Sequence, residues 1–318
     1  MAGYAEIVGR ADLTDALVPE QVINEIIAEP AADGVIRNRA KSIRLSSKKA
    51  KQPVLASLPE AYWVDGDTGL KQTSKETWKN TTITAEELAV IVPIPDALID
   101  DANIPLWAQI KPLLIEALDK KIDGAALFGL DKPDSWPEGI VPAAIAAGNT
   151  VTRGTGKDLG VDVAKLGQLV SKDGFGINGF ASEPGLQWEM VGLRNAQGTP
   201  IYTPSLSAGT PSGLYGYPLN EVRTGVWNSD QAVMLAADWS KFVVGIRQDV
   251  TFDLFREGVI SDASGKVILN LMQQDSKALR VVFRTGFQVA NPLTRLNSNE
   301  ATRYPAGVIV PGSGAGGG

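Results

Sequence analysis

The chain of 318 residues is long enough for two packed lobes, and its 44% hydrophobic and 21% charged residues are typical of a folded globular protein. Its formal net charge of -6 provides no overall positive field for phosphates, which argues against sequence-specific DNA binding. Cysteine and histidine are both absent, which excludes disulfides, thiol nucleophiles, Cys/His zinc sites and histidine-based acid/base catalysis.

No apolar stretch is long enough to span a bilayer, and the first residues lack the basic and apolar regions of a signal peptide. We therefore expect a soluble protein that is made in the cytoplasm. Its stability should come from packing, hydrogen bonds and partner subunits.

The N-terminal region begins with a predicted amphipathic helix at residues 16–33, which ends at Asp33-Gly34. Its apolar residues recur at helical spacing: Val22, Ile23, Ile26 and Ile27. A basic cluster follows, formed by Arg37, Arg39, Lys41, Arg44, Lys48, Lys49 and Lys51. We favour a solvated strand face for this cluster, and contact with DNA or with acidic patches on a neighbour is the alternative.

Residues 61–84 predict a long hairpin, with two β-prone arms around a turn rich in Asp-Gly and Thr-Gly. The segment is too polar to bury itself, and a two-stranded ribbon is marginal alone in water. We therefore expect it to rest on another surface, such as a neighbouring chain. The next segment, residues 88–95, predicts a buried strand that ends at Pro93 and Pro95.

Residues 104–129 predict the longest helix, which begins at Pro105, ends at Gly129 and is kinked at Pro112. At about 1.5 Å per residue it would be a strut about 37 Å long. Its apolar stripe comprises Trp107, Ile110, Leu114, Ala117, Leu118, Ile122, Ala125 and Phe128. The predicted polar face comprises Gln109, Glu116, Asp119, Lys120 and Asp123.

Residues 131–245 predict a second lobe of loops, short helices and strands, including a helix at 161–174 and strands at 231–238 and 240–247. Two segments, 249–257 and 277–292, alternate in the manner of half-buried strands, and a turn-rich stretch lies between them. The glycine-rich tail is expected to be flexible.

Motifs that could carry chemistry are weak. Residues 154–160 contain a GxGxxxG spacing without a preceding apolar strand, which favours an ordinary loop. Adjacent Asp100 and Asp101 do not share a helix face, so we expect a capping or first-turn role near the strut. No constellation of catalytic residue types emerges.

Several segments in order resemble the tailed-phage major capsid proteins with the Hong Kong 97-like fold. They are AYWVDGDTGLKQTSKETWKNTTITAEELAVIVPIPDALIDD, the helix end DGAALFG, GLYGYPLNEV, AADWSKFVVGIRQDVTFDLFRE, QQDSKALRVVFRTGFQVANP and RYPAGVIVP. The resemblance covers nearly the whole chain. It implies an α+β fold with an N-terminal arm, an extended β-hairpin loop, a long spine helix, a peripheral domain and an axial domain.

On this resemblance the domain boundaries would be 1–52 for the arm, 53–84 for the extended loop, 85–145 and 251–284 for the peripheral domain, 146–250 and 285–311 for the axial domain, and 312–318 for the tail. The extended loop would contact a neighbouring subunit through Tyr62, Trp63, Lys71, Lys75, Trp78 and Lys79. The spine-helix core would be Trp107, Ile110, Leu114, Leu118 and Ile122.

The implied function is a structural one. Copies of the chain would assemble through pentamers and hexamers into an icosahedral head around double-stranded DNA, with no reaction and no cofactor. The expected location is the virion capsid, after assembly in the host cytoplasm. Portal and decoration proteins are possible partners, and membranes are not.

Two family features differ here. Some members carry a long N-terminal scaffolding segment that is cleaved, whereas this arm begins almost at Met1, so we expect a separate scaffolding protein or none. Some members crosslink a loop lysine to an asparagine of a neighbour. Lysines are present in this loop, but no partner is evident, and we predict no crosslink.

Two alternatives remain open. An encapsulin, the shell protein of a bacterial nanocompartment, would have the same fold, although the loop sequence is more similar to phage proteins. A carboxylate-dependent hydrolase would need only Asp and Glu, but no paired carboxylates are indicated. Copurified nucleic acid or cargo protein would separate the first two functions, and activity of an isolated monomer would support the third.

Overall fold

The computed structural model describes residues 34–59, 61, 63, 73–74, 76–101, 106–156, 158–193, 202 and 213–312. The predicted helix at residues 16–33 and the tail after residue 312 lie outside these ranges. Helices and strands alternate irregularly, and strands dominate the C-terminal half, as in an α+β protein.

Six α-helices are present in the described ranges: α1 (Val35–Arg39), α2 (Asp96–Asp101), α3 (Leu106–Asp123), α4 (Ile140–Ala146), α5 (Leu159–Lys172) and α6 (Leu186–Gly192). A π-helical turn, Gly124–Phe128, continues α3, and a 3-10 turn spans Trp239–Lys241. The helix predicted at 161–174 is confirmed as α5. Its Asp158 side chain caps the first turn by accepting a hydrogen bond from the Val161 amide.

The strands are β1 (Lys41–Arg44), β2 (Lys49–Ser57), β3 (Thr77–Thr84), β4 (Glu86–Pro95), β5 (Thr150–Thr152), β6 (Gly179–Ser182), β7 (Gly213–Leu214), β8 (Tyr217–Glu221), β9 (Met234–Ala237), β10 (Phe242–Phe255), β11 (Val259–Ser261), β12 (Val267–Asn270), β13 (Ser276–Val289) and β14 (Ala306–Val310). The strands predicted at 249–257 and 277–292 are confirmed over residues 249–255 of β10 and 277–289 of β13. The turn-rich stretch between them closes the short β11–β12 hairpin.

A four-stranded sheet in the order β1-β10-β13-β4 forms one half of the fold. Strands β10 and β13 are each 14 residues long and pair antiparallel from Phe242↔Val289 to Phe255↔Ala278. Alternating residues of β13, including Val281, Phe283 and Phe287, are buried against the helical layer.

Strand β4 lies at the edge of this sheet, and its side chains alternate between half-buried and mostly exposed positions. The prediction of a fully buried strand was therefore wrong. The side chains of this continuous apolar run lie alternately on the core face and on the solvent face of β4. Ile91, on the solvent face, is 48% exposed. Pro93 and Pro95 suit an edge strand because they cannot donate to a further strand.

A six-stranded sheet in the order β5-β14-β9-β6-β8-β7 forms the other half. Helix α5 packs on β14, and a separate core forms around Leu166, Met234 and Ile309. The strands predicted at 231–238 and 240–247 divide between the two sheets, because β9 belongs to this sheet and β10 to the first.

Several of the expected domain boundaries fall within single strands. The expected breaks at 250/251 and 284/285 fall inside β10 and β13, so residues 242–250 and 285–289 share a sheet with the strand segments that they continue. The expected arm of residues 1–52 includes β1, a member of the four-stranded sheet, and the beginning of β2. Strands β10 and β13 pair with each other across the expected boundaries. The local sequence therefore gives no sign of a domain boundary inside a strand.

The predicted strut is confirmed as α3 and its π-helical continuation. It ends at Gly129, whose left-handed φ of 73° allows its N–H to bond back to Ala125. Pro112 lies inside the helix. Asp100 and Asp101 end α2, and Asp96 takes the first-turn position, so the predicted role for this pair at the start of the strut was wrong.

Candidate subunit-contact surfaces

The hairpin that was predicted at residues 61–84 is formed by strands further apart in the chain. Strand β2 pairs antiparallel with β3 in a register from Lys49↔Thr84 to Ser57↔Thr77. The first arm therefore precedes residue 61, and the stretch expected to form it lies between the strands. The first strand was missed because β2 contains Lys49, Lys51 and Pro53, which weaken its strand pattern. These residues made the segment resemble part of a basic arm.

Trp78 lies on β3 opposite Leu55 and is 62% exposed in the single chain. Trp63, in the segment between the two strands, is fully exposed. Tyr62, Lys71 and Lys75 lie outside the described residues. A large indole surface left in water is a feature of interaction sites, because aromatic side chains bury much area at little entropic cost.

Lys79 follows Trp78 and makes a contact within its own chain. Its Nζ donates to Glu300 Oε1 at 2.7 Å, and this hydrogen bond holds the pKa of Glu300 below its usual value. The side chains are 61% and 64% exposed, so the pair contributes little to stability. The predicted contact of Lys79 with a neighbour stays a prediction, and in the single chain Lys79 pairs with Glu300 of the C-terminal loop.

Two further hydrogen bonds hold the hairpin on the same side, one near its base and one near its distal end. Leu293 N donates to Leu55 O at 3.0 Å, and Gln288 Nε2 donates to Thr82 O at 2.9 Å. At its end β3 reaches the core, where Ile83 is fully buried. The hairpin is therefore held along its length, including at Leu55, which pairs with Trp78, while the Trp78 side chain itself stays 62% exposed.

The residues predicted for the spine core occupy one side of α3. Leu114, Leu118 and Ile122 are buried, and Trp107 and Ile110 are half-buried against the same hydrophobic core. This core also contains Val281, Phe283 and Phe287 of β13. Ala117, which was placed in the same stripe, is exposed.

Two aspartates that were placed on the polar face of α3 are buried. Asp119 is 1% exposed and Asp123 is 0% exposed. Asp123 accepts hydrogen bonds from the amides of Val35 and Ile36, and Asp119 forms an ion pair with Arg37. The prediction was wrong because helix periodicity assigns charge to solvent, whereas here the backbone of α1 covers these carboxylates.

A second exposed apolar surface was missed by the sequence reasoning. The β11–β12 hairpin and the turn after it expose Val259, Val267, Ile268 and Met272, with exposed fractions of 52–73%. The only sequence signal for this surface is that apolar residues occur in a hairpin beyond the ends of the two long strands, β10 and β13. In an isolated chain this surface has no cover among the described residues.

The described ranges contain no group of three or more acidic side chains that could hold a metal ion. No helix among them has the length and apolarity needed to cross a membrane.

Comparisons with known proteins identify the fold. A family model described as the phage capsid family matches residues 14–293. A curated major capsid protein of Staphylococcus phage 80alpha is 24% identical over 281 residues, which cover 87% of this chain and 83% of that protein.

Solved structures match over almost the full length. The Microbacterium phage Oxtober96 chain is 37% identical with a TM-score of 0.84, covering 96% of this chain and 100% of that one. The Mycobacterium phage Cain chain is 30% identical with a TM-score of 0.83, covering 98% and 100%. The capsid of a native GTA particle computed with C5 symmetry matches with a TM-score of 0.69 over 94% and 96%, and its 16% identity shows the fold alone. The chain has the Hong Kong 97-like α+β fold and belongs to the phage capsid family.

Proposed function

We propose that copies of this chain assemble through pentamers and hexamers into an icosahedral phage head around double-stranded DNA. The structural role in a phage capsid is that of its family, and the observation that carries it is a match over 96% of the chain to a phage structure that is 37% identical.

The proposal assigns the hairpin to subunit contact. The aromatic residues Tyr62, Trp63 and Trp78 would anchor it on a neighbouring subunit, with Lys71, Lys75 and Lys79 around them. Its support is the exposure of Trp63 and Trp78 in the single chain. Aromatic residues that become buried at an interface commonly dominate its free energy.

The remaining parts of the proposal concern reaction, partners and location. The chain would work without a cofactor and without catalysing a reaction, and the lack of cysteine and histidine supports this role. Packaged DNA would be held without sequence specificity. A scaffolding protein, a portal and a decoration protein are the partners expected, with assembly in the host cytoplasm.

The expected result for the purified chain is closed shells, or free pentamers and hexamers. Analytical sedimentation and negative-stain microscopy across salt and protein concentrations would measure them. A monomer or dimer that persists under every assembly condition would count against the proposal.

Trp78→Ala is expected to weaken assembly more than it weakens the fold. Loss of one buried aromatic anchor commonly costs about 2 kcal/mol or more at an interface, which is a change of at least tenfold in association. In the single chain the side chain is mostly exposed, so the melting temperature of the unassembled subunit should change little.

The matched control is Asn80→Ala, because Asn80 is exposed on the same strand two residues later and lies on the same face. Light scattering would measure the critical concentration for assembly of both variants. Equal critical concentrations for the two variants and the wild type would remove Trp78 from the contact.

A further inference from the structure

The loop between β13 and β14 joins two parts of the fold that are far apart in the chain. We call this loop, residues 290–305, the connector. On one side it meets the β2–β3 hairpin, where Leu293 N donates to Leu55 O at 3.0 Å and Glu300 pairs with Lys79 at 2.7 Å. On the other side it meets the end of helix α5, which packs on the six-stranded sheet.

The contact with α5 converges on one residue. Asp173 follows the last turn of α5 and is 6% exposed. Asn297 Nδ2 donates to its Oδ1 at 2.7 Å, the Tyr304 amide donates to its Oδ2 at 3.1 Å, and Thr294 Oγ1 donates to its main-chain carbonyl at 2.6 Å. Asn149 Nδ2 donates a further bond to Oδ2 at 2.7 Å. Both carboxylate oxygens are therefore occupied, and three parts of the connector are bound by a single side chain and its carbonyl.

The connector also fits closely against the end of α5. Gly174, the next residue, has a left-handed φ of 86°, which turns the chain away from the helix. A Cβ at Gly174 would lie 2.7 Å from the Thr294 Cβ, so the glycine lets Thr294 approach the helix end. The connector is thus packed on α5 as well as hydrogen-bonded to it.

The connector is braced internally by the buried Arg303. Its guanidinium donates to Asn291 Oδ1 at 3.1 Å, to Asn291 O at 3.2 Å and to Asn297 O at 3.0 Å. Asn291 Nδ2 donates back to Arg303 O at 2.7 Å. These bonds join Asn297, which contacts Asp173, to Asn291, which lies two residues before Leu293. A buried polar network whose members are satisfied holds one arrangement, so the two sides of the connector are rigidly linked.

We propose that Asp173 is a positioning residue for the β2–β3 hairpin, and that through the connector it sets the angle at which the hairpin leaves the four-stranded sheet. Each step from Asp173 to Leu55 is a hydrogen bond or a short piece of chain. The effect on assembly rests on the proposed subunit contact, because the angle matters there only if the hairpin meets a neighbour. The positioning itself is a property of the single chain.

A distance measurement on the unassembled full chain tests the positioning. Since the chain lacks cysteine, two introduced cysteines carry the only spin labels. Asn80→Cys places one label on exposed β3, and Gln168→Cys places the other on the exposed side of α5. Double electron–electron resonance gives the distribution of distances between them. Asp173→Asn replaces one acceptor oxygen by an NH2 group that faces a donor, so it should broaden this distribution.

Asp162→Asn is the matched control, because Asp162 is a buried carboxylate of the same helix that fastens a different loop. It accepts hydrogen bonds from the Gly154 and Gly156 amides at 2.8 Å and 2.7 Å. This variant should keep the wild-type distance distribution. An unchanged distribution in Asp173→Asn would overturn the proposal, and so would equal broadening in the two variants, which would assign the effect to α5 as a whole.

Hydrogen exchange shows whether Asp173→Asn acts locally. Exchange of the peptide over residues 290–305 should rise about tenfold, because loss of a hydrogen bond to a charged group commonly changes a local equilibrium by that factor. The buried strand β9 should exchange as in the wild type. If β9 also exchanges rapidly, the variant is unfolded, and Asn297→Ala decides with the same labels because it removes one connector contact and keeps Asp173. A wild-type distribution in Asn297→Ala would then overturn the proposal.

Light scattering of the unlabelled variants separates this inference from the proposed function. Broadened distances together with a raised critical concentration for assembly support both. Broadened distances with a wild-type critical concentration support positioning by Asp173 and count against the hairpin as a subunit contact. Wild-type distances in Asp173→Asn reject the positioning role, whatever the critical concentration.

Discussion

Leu114→Asp is expected to abolish the yield of soluble protein. Leu114 is 6% exposed on α3 and belongs to the core that includes Leu118 and Val281. The substitution removes a buried aliphatic side chain, which alone costs about 2–5 kcal/mol, and it introduces a carboxylate without a partner, which costs several kcal/mol more. A domain is stable by only about 5–15 kcal/mol in total. The two losses together should exceed what the fold can tolerate.

The adjacent residue provides the matched control. Leu113 is 50% exposed on the same helix, so Leu113→Asp makes the same chemical change without burying a charge. Soluble yield and melting temperature should separate the two variants. Wild-type yield and melting temperature for Leu114→Asp would show that this side of α3 is not the core of the fold.

Gly286→Ala is expected to destabilise the protein by about 3 kcal/mol or more, the upper part of the range for overpacked sites. A Cβ at this position would lie 2.5 Å from the Thr84 carbonyl oxygen and 2.9 Å from its carbon. These are backbone atoms, so no side-chain rotation relieves the clash. The neighbouring Ala85 amide is itself bonded to Lys48 O at 2.8 Å, which holds this part of the chain in place.

The matched control for Gly286 is Gly176→Ala, because an added Cβ at Gly176 meets no atom within 4 Å. Urea unfolding followed by tryptophan fluorescence would give the free energy of unfolding of each variant. A loss of less than 1 kcal/mol in Gly286→Ala would mean that β13 and the end of β3 are further apart than the structure places them. Since Thr84 ends the hairpin, the same variant is expected to alter how the hairpin leaves the sheet.

The elements that could be predicted are those whose signal repeats along the chain. The apolar stripe of α3 and its end at Gly129 depend on a 3.6-residue period and on one left-handed glycine. The 14-residue strand β13 follows from a two-residue period. Both signals are contained in neighbouring residues, so no knowledge of the rest of the fold is needed to recognise them.

The errors concern groups whose surroundings come from distant residues. Asp119 and Asp123 have the periodicity of a solvent-facing side of a helix, and they are buried because α1, more than 80 residues earlier, brings its amides to them. The first strand of the hairpin was predicted at the wrong residues, because β2 can be recognised only from its pairing with β3. The contact of Lys79 with Glu300, 221 residues away, could not be predicted for the same reason.

The sequence by itself determined the long helix α3, the long strand β13, the order of the capsid-like segments and the exclusion of cysteine and histidine chemistry, because each depends on residue type and local spacing alone. The tertiary structure decided which strands pair, that β10 and β13 cross the expected domain boundaries, which charges are buried, and which aromatic residues stay exposed. These properties depend on the solvent exposure and partners of each group, and residues far apart in the chain set both.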